Sequence, residues 1–175
     1  MFTNSEMFLF IENAIRGGIS VVSHRHDKVN NPLVPDYDPK SPHTFISYLD
    51  QNNLYGNSMS QSLPTSEFSF LSDDDVLSFD LDATTKLDDY GYILEVDLQY
   101  PEQLHDAHSD YPQAAEKLLI TQDMLSPYSA SLIDKHVPSE KLSPNLYDKT
   151  KYVFHYENLW FYLKHGLQLT KIHRI

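Results

Sequence analysis

The chain has 175 residues, 41% of them hydrophobic and 13% aromatic, so it can enclose one core and is too rich in rings for a linker. Its formal charge of −12 is the opposite of the basic face that nucleic-acid phosphates require, which excludes a firm grip on a duplex by this chain alone. Cysteine is absent, which excludes disulfides and thiolate metal sites. No apolar stretch approaches the roughly 20 residues of a membrane span, and Met1-Phe2-Thr3-Asn4-Ser5-Glu6 lacks the basic region of a secretory leader. The expectation is an intracellular, non-membrane protein, with nucleus and cytoplasm undistinguished.

In chain order, Ser5 to Ile15 has polar residues in front and apolar residues at close spacing, which predicts a helix ended by Arg16-Gly17-Gly18. Gly-Gly either caps that helix or lets the backbone approach a ligand closely. Ile19-Ser20-Val21-Val22-Ser23 is β-branched and predicts a strand, and the proline-rich residues 24–43 predict a loop. His24-Arg25-His26 within it reads as a solvated, locally basic stretch.

Residues 44–64 organise the rest. Phe45-Ile46-Ser47-Tyr48-Leu49 fits a buried or half-buried strand, with Asp50 where that strand should end. Gln51-Asn52-Asn53 makes a polar turn, and Leu54-Tyr55-Gly56 leads into a short helix that stops before Pro64. An Asp at a strand tip, followed by a tight turn and an inward-facing aromatic, presents a carboxylate to a divalent cation. The turn adds backbone carbonyls, and Mg²⁺ prefers such hard oxygen ligands.

Asp73, Asp74, Asp75, Asp80, Asp82, Asp88 and Asp89 form an acidic run that reads as a solvated face or surface loop. Residues 90–100 alternate apolar with polar and give the clearest strand, ended by Pro101. His105, His108 and Asp110 have spacing that could hold zinc, but no further ligand pair is evident and the stretch between Pro101 and Pro112 reads as loop. Ser126–Ile133 predicts a short helix, and Asn145–Lys151 a turn with a basic patch. Tyr152-Val153-Phe154 predicts a strand, and Glu157–His165 an amphipathic helix closed by Gly166, its aromatic stripe facing a core. Leu167–Ile175 alternates as a strand. The chain stops inside that pattern, and the expectation is a fragment or a truncated reading frame.

Asp50-Gln51-Asn52-Asn53-Leu54-Tyr55 resembles the D-x-x-S/N-L-Y signature of family B DNA polymerases, in particular the protein-primed branch of bacteriophages, linear plasmids and Polinton (Maverick) mobile elements. Gly56 stands where most of that family has Pro, as in the Polinton-like sequences. Ile15-Arg16-Gly17-Gly18 resembles the aromatic-x-Gly-Gly motif at the exonuclease–polymerase junction, with Ile in the aromatic place. Gly91 to Lys117, with Glu-Val-Asp-Leu-x-Tyr-Pro and Leu-His-x-x-His-x-Asp-Tyr-Pro, is also similar to the Polinton-type enzymes.

The resemblance implies that Asp50 ligates two Mg²⁺ ions (or Mn²⁺) with help from the Gln51 carbonyl. It implies that Tyr55 excludes a 2′-hydroxyl while Leu54 supports the turn, and that Arg16, Gly17 and Gly18 contact DNA. The partners implied are a primer–template, a deoxynucleoside triphosphate and a priming protein. The arrangement needs Asp50 at a sheet edge and Tyr55 turned toward the nucleotide.

The K-x-x-x-N-S-x-Y-G motif and the Y-x-D-T-D-S motif with the second Asp are absent, and Asp80-Leu81-Asp82 lacks the flanking residues to replace the latter. The expectation is therefore an α/β (α+β) fold: a partial polymerase palm with an inserted subdomain after the first catalytic motif, inactive alone. Residues 1–43 would be junction loop and start of palm, 44–71 the strand–turn–helix of the first motif, and 72–175 palm continuation with the insertion. The alternative is a domesticated interaction protein of a mobile element without catalysis.

Overall fold

The computed structural model describes residues 4–84, 89–135 and 137–175. Asp88 of the acidic run and the first three residues of the stretch read for a leader lie outside them. The helices are α1 (Ser5–Ala14), α2 (Leu54–Met59), α3 (Asp73–Leu77), α4 (His105–His108), α5 (Pro127–Ser131) and α6 (Tyr156–Lys164). The strands are β1 (Ile93–Gln99), β2 (Glu116–Ile120), β3 (Ser139–Ser143), β4 (Lys149–His155) and β5 (Gln168–Arg174). The fold is mixed α and β with two small antiparallel sheets, ordered β4-β1-β5 and β2-β3. The chain divides into two compact units, Val22–Ser66 on the one hand and Met1–Val21 with Glu67–Ile175 on the other. The stretches 1–43 and 44–71 expected from the sequence are each split between these units.

In the larger unit, β1 is central because its alternation gives it one fully apolar face. Leu94, Val96 and Leu98 are buried, and they cluster with Tyr152 and Phe154 of β4 and with Leu159 of α6. The predicted aromatic stripe of α6 is core in part: Trp160 and Tyr162 pack against the cluster beside the buried Tyr156 and Leu159, while Phe161 is 48% exposed. The Trp160 indole N–H donates to the Leu81 carbonyl at 3.2 Å. Gly166, at φ 97°, turns the chain out of α6 in the left-handed region that suits glycine, as its place after the helix predicts. The predicted strand at the C-terminus pairs antiparallel with β1, and so does β4.

Asp97 stands at an irregularity in both ladders, which shift register between Val96 and Leu98 on the β4 side and between Asp97 and Leu98 on the β5 side. Its carboxylate supplies what the backbone there does not. Lys151, held at φ 50°, donates its N–H to Asp97 Oδ1 at 2.8 Å. His173 Nε2 lies 2.8 Å from the same oxygen. Burial pushes the Asp97 pKa up, but the Lys151 amide, His173 and Lys171 outweigh it and hold the carboxyl below its usual range.

Two arginines fasten α1. Asn4 caps the helix, its side chain accepting from Glu6 N at 2.8 Å. The Arg174 guanidinium lies 4.6 Å from the Phe10 ring centroid and 5.1 Å from that of Phe70, and it donates to Glu6 at 2.8 Å. At the other end Arg16 lies 3.8 Å over the Tyr152 ring and donates to the Val153 carbonyl at 2.6 Å.

Several expectations are corrected. Ile19–Ser23 forms no strand. Gly17 and Gly18 do not cap α1 in the left-handed way: the helix ends at Ala14 with an extended Ile15, whose N–H bonds the Glu12 carbonyl. Of the two lysines in the 145–151 patch only Lys151 is exposed. Lys149 is fully buried, 2.9 Å from Glu116 of β2 and also hydrogen-bonded to Asn145 Oδ1. The β2–β3 hairpin, absent from the sequence reading, is thereby tied to β4. Part of the 102–110 stretch is helical, a 3₁₀ turn Glu102–Leu104 running into α4.

In the smaller unit the proline-rich loop forms as expected, and asparagines hold it. Asn30 exchanges backbone and hydroxyl bonds with Thr44 at 2.8 Å, while its amide donates to the carbonyls of Asp38, Ser41 and Pro42. Asn31, buried, donates to the Thr44 carbonyl at 3.1 Å.

Asp97→Asn should lower stability near neutral pH. Because the folded pKa is depressed, the contribution of Asp97 is present above the unfolded Asp value of about 3.9 and is lost as pH falls through the folded value. Urea midpoints of the two proteins should therefore converge under acid. Glu116→Ala, by stranding a buried ammonium, should cost about 3 kcal/mol, at the low end because Glu116 is partly exposed. The double change Lys149→Met with Glu116→Leu should recover most of that loss in the same measurement.

Candidate functional site

The Asp50–Tyr55 segment belongs entirely to the smaller unit. Asn53 adopts the left-handed conformation (φ 55°, ψ 46°) and is the N-cap of α2, its side chain accepting from Gly56 N at 3.2 Å. Asn tolerates that backbone well. The cap also accounts for Gly56: a Cβ there would run into the Asn53 amide. A tight turn and a short helix thus follow Asp50, as the sequence predicts. The helix runs to Met59, short of Pro64.

The strand before it is the main correction. Residues 45–50 have no ladder partner among the described residues and are exposed, with Tyr48 94% exposed and Leu49 89%. Five apolar-rich residues read as a strand, but a strand exists only where a second one offers hydrogen bonds, and Asn30–Thr44 is an isolated bridge. Asp50 and Gln51 are also exposed, on a connection rather than on a sheet edge. Leu54 is 56% and Tyr55 86% exposed, so Tyr55 is not the inward-facing ring that the sequence reading required. The solvated ring counts against a preformed ribose gate.

The chemistry available here is that of one accessible carboxylate with neighbouring carbonyls. Among the described residues no group of three or more His, Cys, Asp or Glu could hold a metal ion. Asp50 fits the first requirement of a Mg²⁺ site, a hard anionic oxygen open to solvent, but a two-metal clamp needs a second carboxylate. Asp80 and Asp82 belong to the larger unit, where they share a local turn: Asp82 N–H bonds the Asp80 carboxylate at 3.0 Å, with Leu81 buried between.

Arg16, Gly17 and Gly18 lie in the larger unit. The Arg16 guanidinium faces inward onto Tyr152 and the carbonyls of Ala14 and Val153. Gly17 and Gly18 are exposed, and a Cβ at either would meet open space. Close packing therefore does not demand glycine at these positions.

The histidine pair is accounted for by Tyr100. The Tyr100 hydroxyl is 2.7 Å from His108 Nδ1, its carbonyl 3.3 Å from His105 Nε2, and both imidazoles meet its ring edge-on. Burial of Tyr100 pushes its phenol pKa up, against a hydrogen bond from the Gln113 N–H. These histidines lock the turn after β1. Asp97 with His173 is signalled in the sequence only by an acid inside an apolar strand, and Lys149 with Glu116 carries no local signal.

Among the described residues no helix is long and apolar enough to cross a membrane. No family model, no curated protein and no solved structure matches the chain.

Proposed function

We propose that the chain is a piece of a family B DNA polymerase of the protein-primed type, carrying the first palm motif of an enzyme that adds deoxynucleotides to a primer on a DNA template. One observation carries the reading: the exposed Asp50 carboxylate is followed by the left-handed Asn53 cap and a helix that begins Leu54-Tyr55. That is the order of carboxylate, turn and ring that the motif demands.

In this reading residues 45–49 become a strand only when paired with palm segments outside this chain, and Tyr55 gains its packing there. Asp50 and the Gln51 carbonyl would hold the ions, with Mn²⁺ able to replace Mg²⁺, and Leu54 would brace the turn. Two bound Mg²⁺ ions supply charge at the reacting phosphates. Tyr55 would bar a 2′-hydroxyl, and the Gly17-Gly18 backbone beside Arg16 would meet DNA. Residues 72–175 would be palm continuation and insertion, with a priming protein as a further partner. With one carboxylate of the clamp, the chain alone would not catalyse nucleotide addition.

The second reading, an interaction protein without catalysis, is favoured by a different observation. Phe45, Ile46, Tyr48, Leu49, Tyr55 and Met59 are all exposed within fifteen residues, a density of solvated apolar side chains that suits a protein contact. The net charge of −12 suits a protein partner better than a duplex.

Titrating the chain with MnCl₂ should broaden the backbone amide resonances of residues 50–55. Asp50→Asn should weaken that effect by about tenfold or more, since even the supports of a ligand are worth ~10–100-fold. Unbroadened resonances, or broadening indifferent to the substitution, would remove the metal from the proposal. For the second reading, Tyr48→Asp with Leu49→Asp should abolish capture of a partner from extract whether or not Mg²⁺ and DNA are present. Capture that needs both favours the polymerase.

A further inference from the structure

A cleft of about 470 Å³ opens in the larger unit between the exit of α1, the 112–115 segment, β4 and α6. Its volume lies in the range of small-molecule sites. Arg16 lines it, and every contact of that guanidinium among the described residues is with a neutral group: the Tyr152 ring face and the carbonyls of Ala14 and Val153. A half-buried cation without a counter-charge is costly, and an anion entering beside it gains a charge-assisted partner.

The remaining lining is uncharged. Gln113 and Asn158 bring amides, and Tyr152 and Tyr162 bring phenols whose pKa values burial pushes up, so both stay neutral. Ile19 and Phe161, about half exposed, stand at the mouth as apolar walls. Ala114, also lining the cleft, is buried at φ 52°, a left-handed backbone that costs an alanine about 1 kcal/mol. Strain of this kind gathers at ligand sites.

We propose that this cleft binds a carboxylate carried on a compact apolar body, with the carboxylate on Arg16 and the body against Phe161 and Ile19. A single negative charge is the match, because one guanidinium is the whole cationic lining and the chain around it carries −12. A phosphate dianion or a polyphosphate strand would remain under-compensated. The ligand is either a free small acid or the C-terminal carboxylate of a peptide with an apolar last residue; the recognition chemistry is the same. The proposal concerns the larger unit alone and does not depend on the polymerase reading.

Calorimetric titration of the full chain with 3-phenylpropionate and with the tripeptide Ala-Ala-Phe, each beside its amide, tests this, with a dT₄ oligonucleotide as a third arm. The acids should bind, and the amides should bind about tenfold more weakly or worse. Tighter binding of the tripeptide than of phenylpropionate assigns the site to peptide C-termini, and the reverse assigns it to free acids. Arg16→Met should abolish binding. Because Arg16 also fastens α1, Asn158→Asp provides a second test that leaves the clamp intact, and its new carboxylate should weaken the acids by about tenfold. Equal binding of acid and amide, no binding of either acid, indifference to Asn158→Asp, or Arg16-dependent binding of the oligonucleotide alone would each overturn the proposal.

Discussion

The burial of Leu94, Val96 and Leu98 on one face of β1 is the constraint from which the larger unit follows. A seven-residue strand with three fully buried aliphatics must be covered on that face, and α6 covers it through Leu159. It must also be paired on both edges, and β4 and β5 do so. Burying those side chains stabilises the fold by roughly 2 kcal/mol each, against backbone ordering that costs about 1–2 kcal/mol per residue. The strand therefore cannot stand alone. It needs the neighbours that the rest of the sequence returns to it from more than fifty positions later.

The opposite face of β1 carries Glu95 and Asp97, and polar groups there find partners instead of water. Arg174 reaches Glu95 at 3.5 Å and Glu6 at 2.8 Å, and lies over Phe10 and Phe70, so one side chain binds sheet, helix and the 70-loop together. Arg16 does the same at the far end of α1, and Lys149 joins the hairpin to β4. In a chain with 13 Lys and Arg against 25 Asp and Glu, burying Lys149 and turning Arg16 and Arg174 partly inward leaves fewer cations fully at the surface. The same placements that hold the fold together therefore weaken any electrostatic attraction to a phosphate backbone.

What could be read from the sequence was local. The alternation of β1, the short helix after Ser126 (which runs Pro127–Ser131), the amphipathic α6 with its Gly166 stop and the final strand all signal themselves within a dozen residues, and all formed. The asparagine-held loop before Thr44 was legible as loop from its prolines, though not its network. What failed depends on distant partners. Lys149 reads as surface until Glu116, on another strand, is placed beside it. The β2–β3 hairpin has residues 121–138 between its strands, so no turn signature announces it. Phe45–Leu49 has the composition of a strand, but composition does not supply the second row of carbonyls and amides.

That last case bears on the candidate site. A carboxylate that must hold a cation needs a fixed direction, and a sheet edge gives it one by pinning the backbone on both sides. The Asp50 turn gets half of this from its own sequence: Asn53 caps α2 and Gly56 makes room for the cap, so the segment downstream of the carboxylate is set. Upstream, residues 45–49 carry exposed apolar side chains and no ladder bonds, and under the proposed reading the addition of a strand beside them would answer both. The two proposed readings, a polymerase palm and a protein attachment site, would thus begin from one physical requirement, and they would differ in whether the added strand brought a second carboxylate.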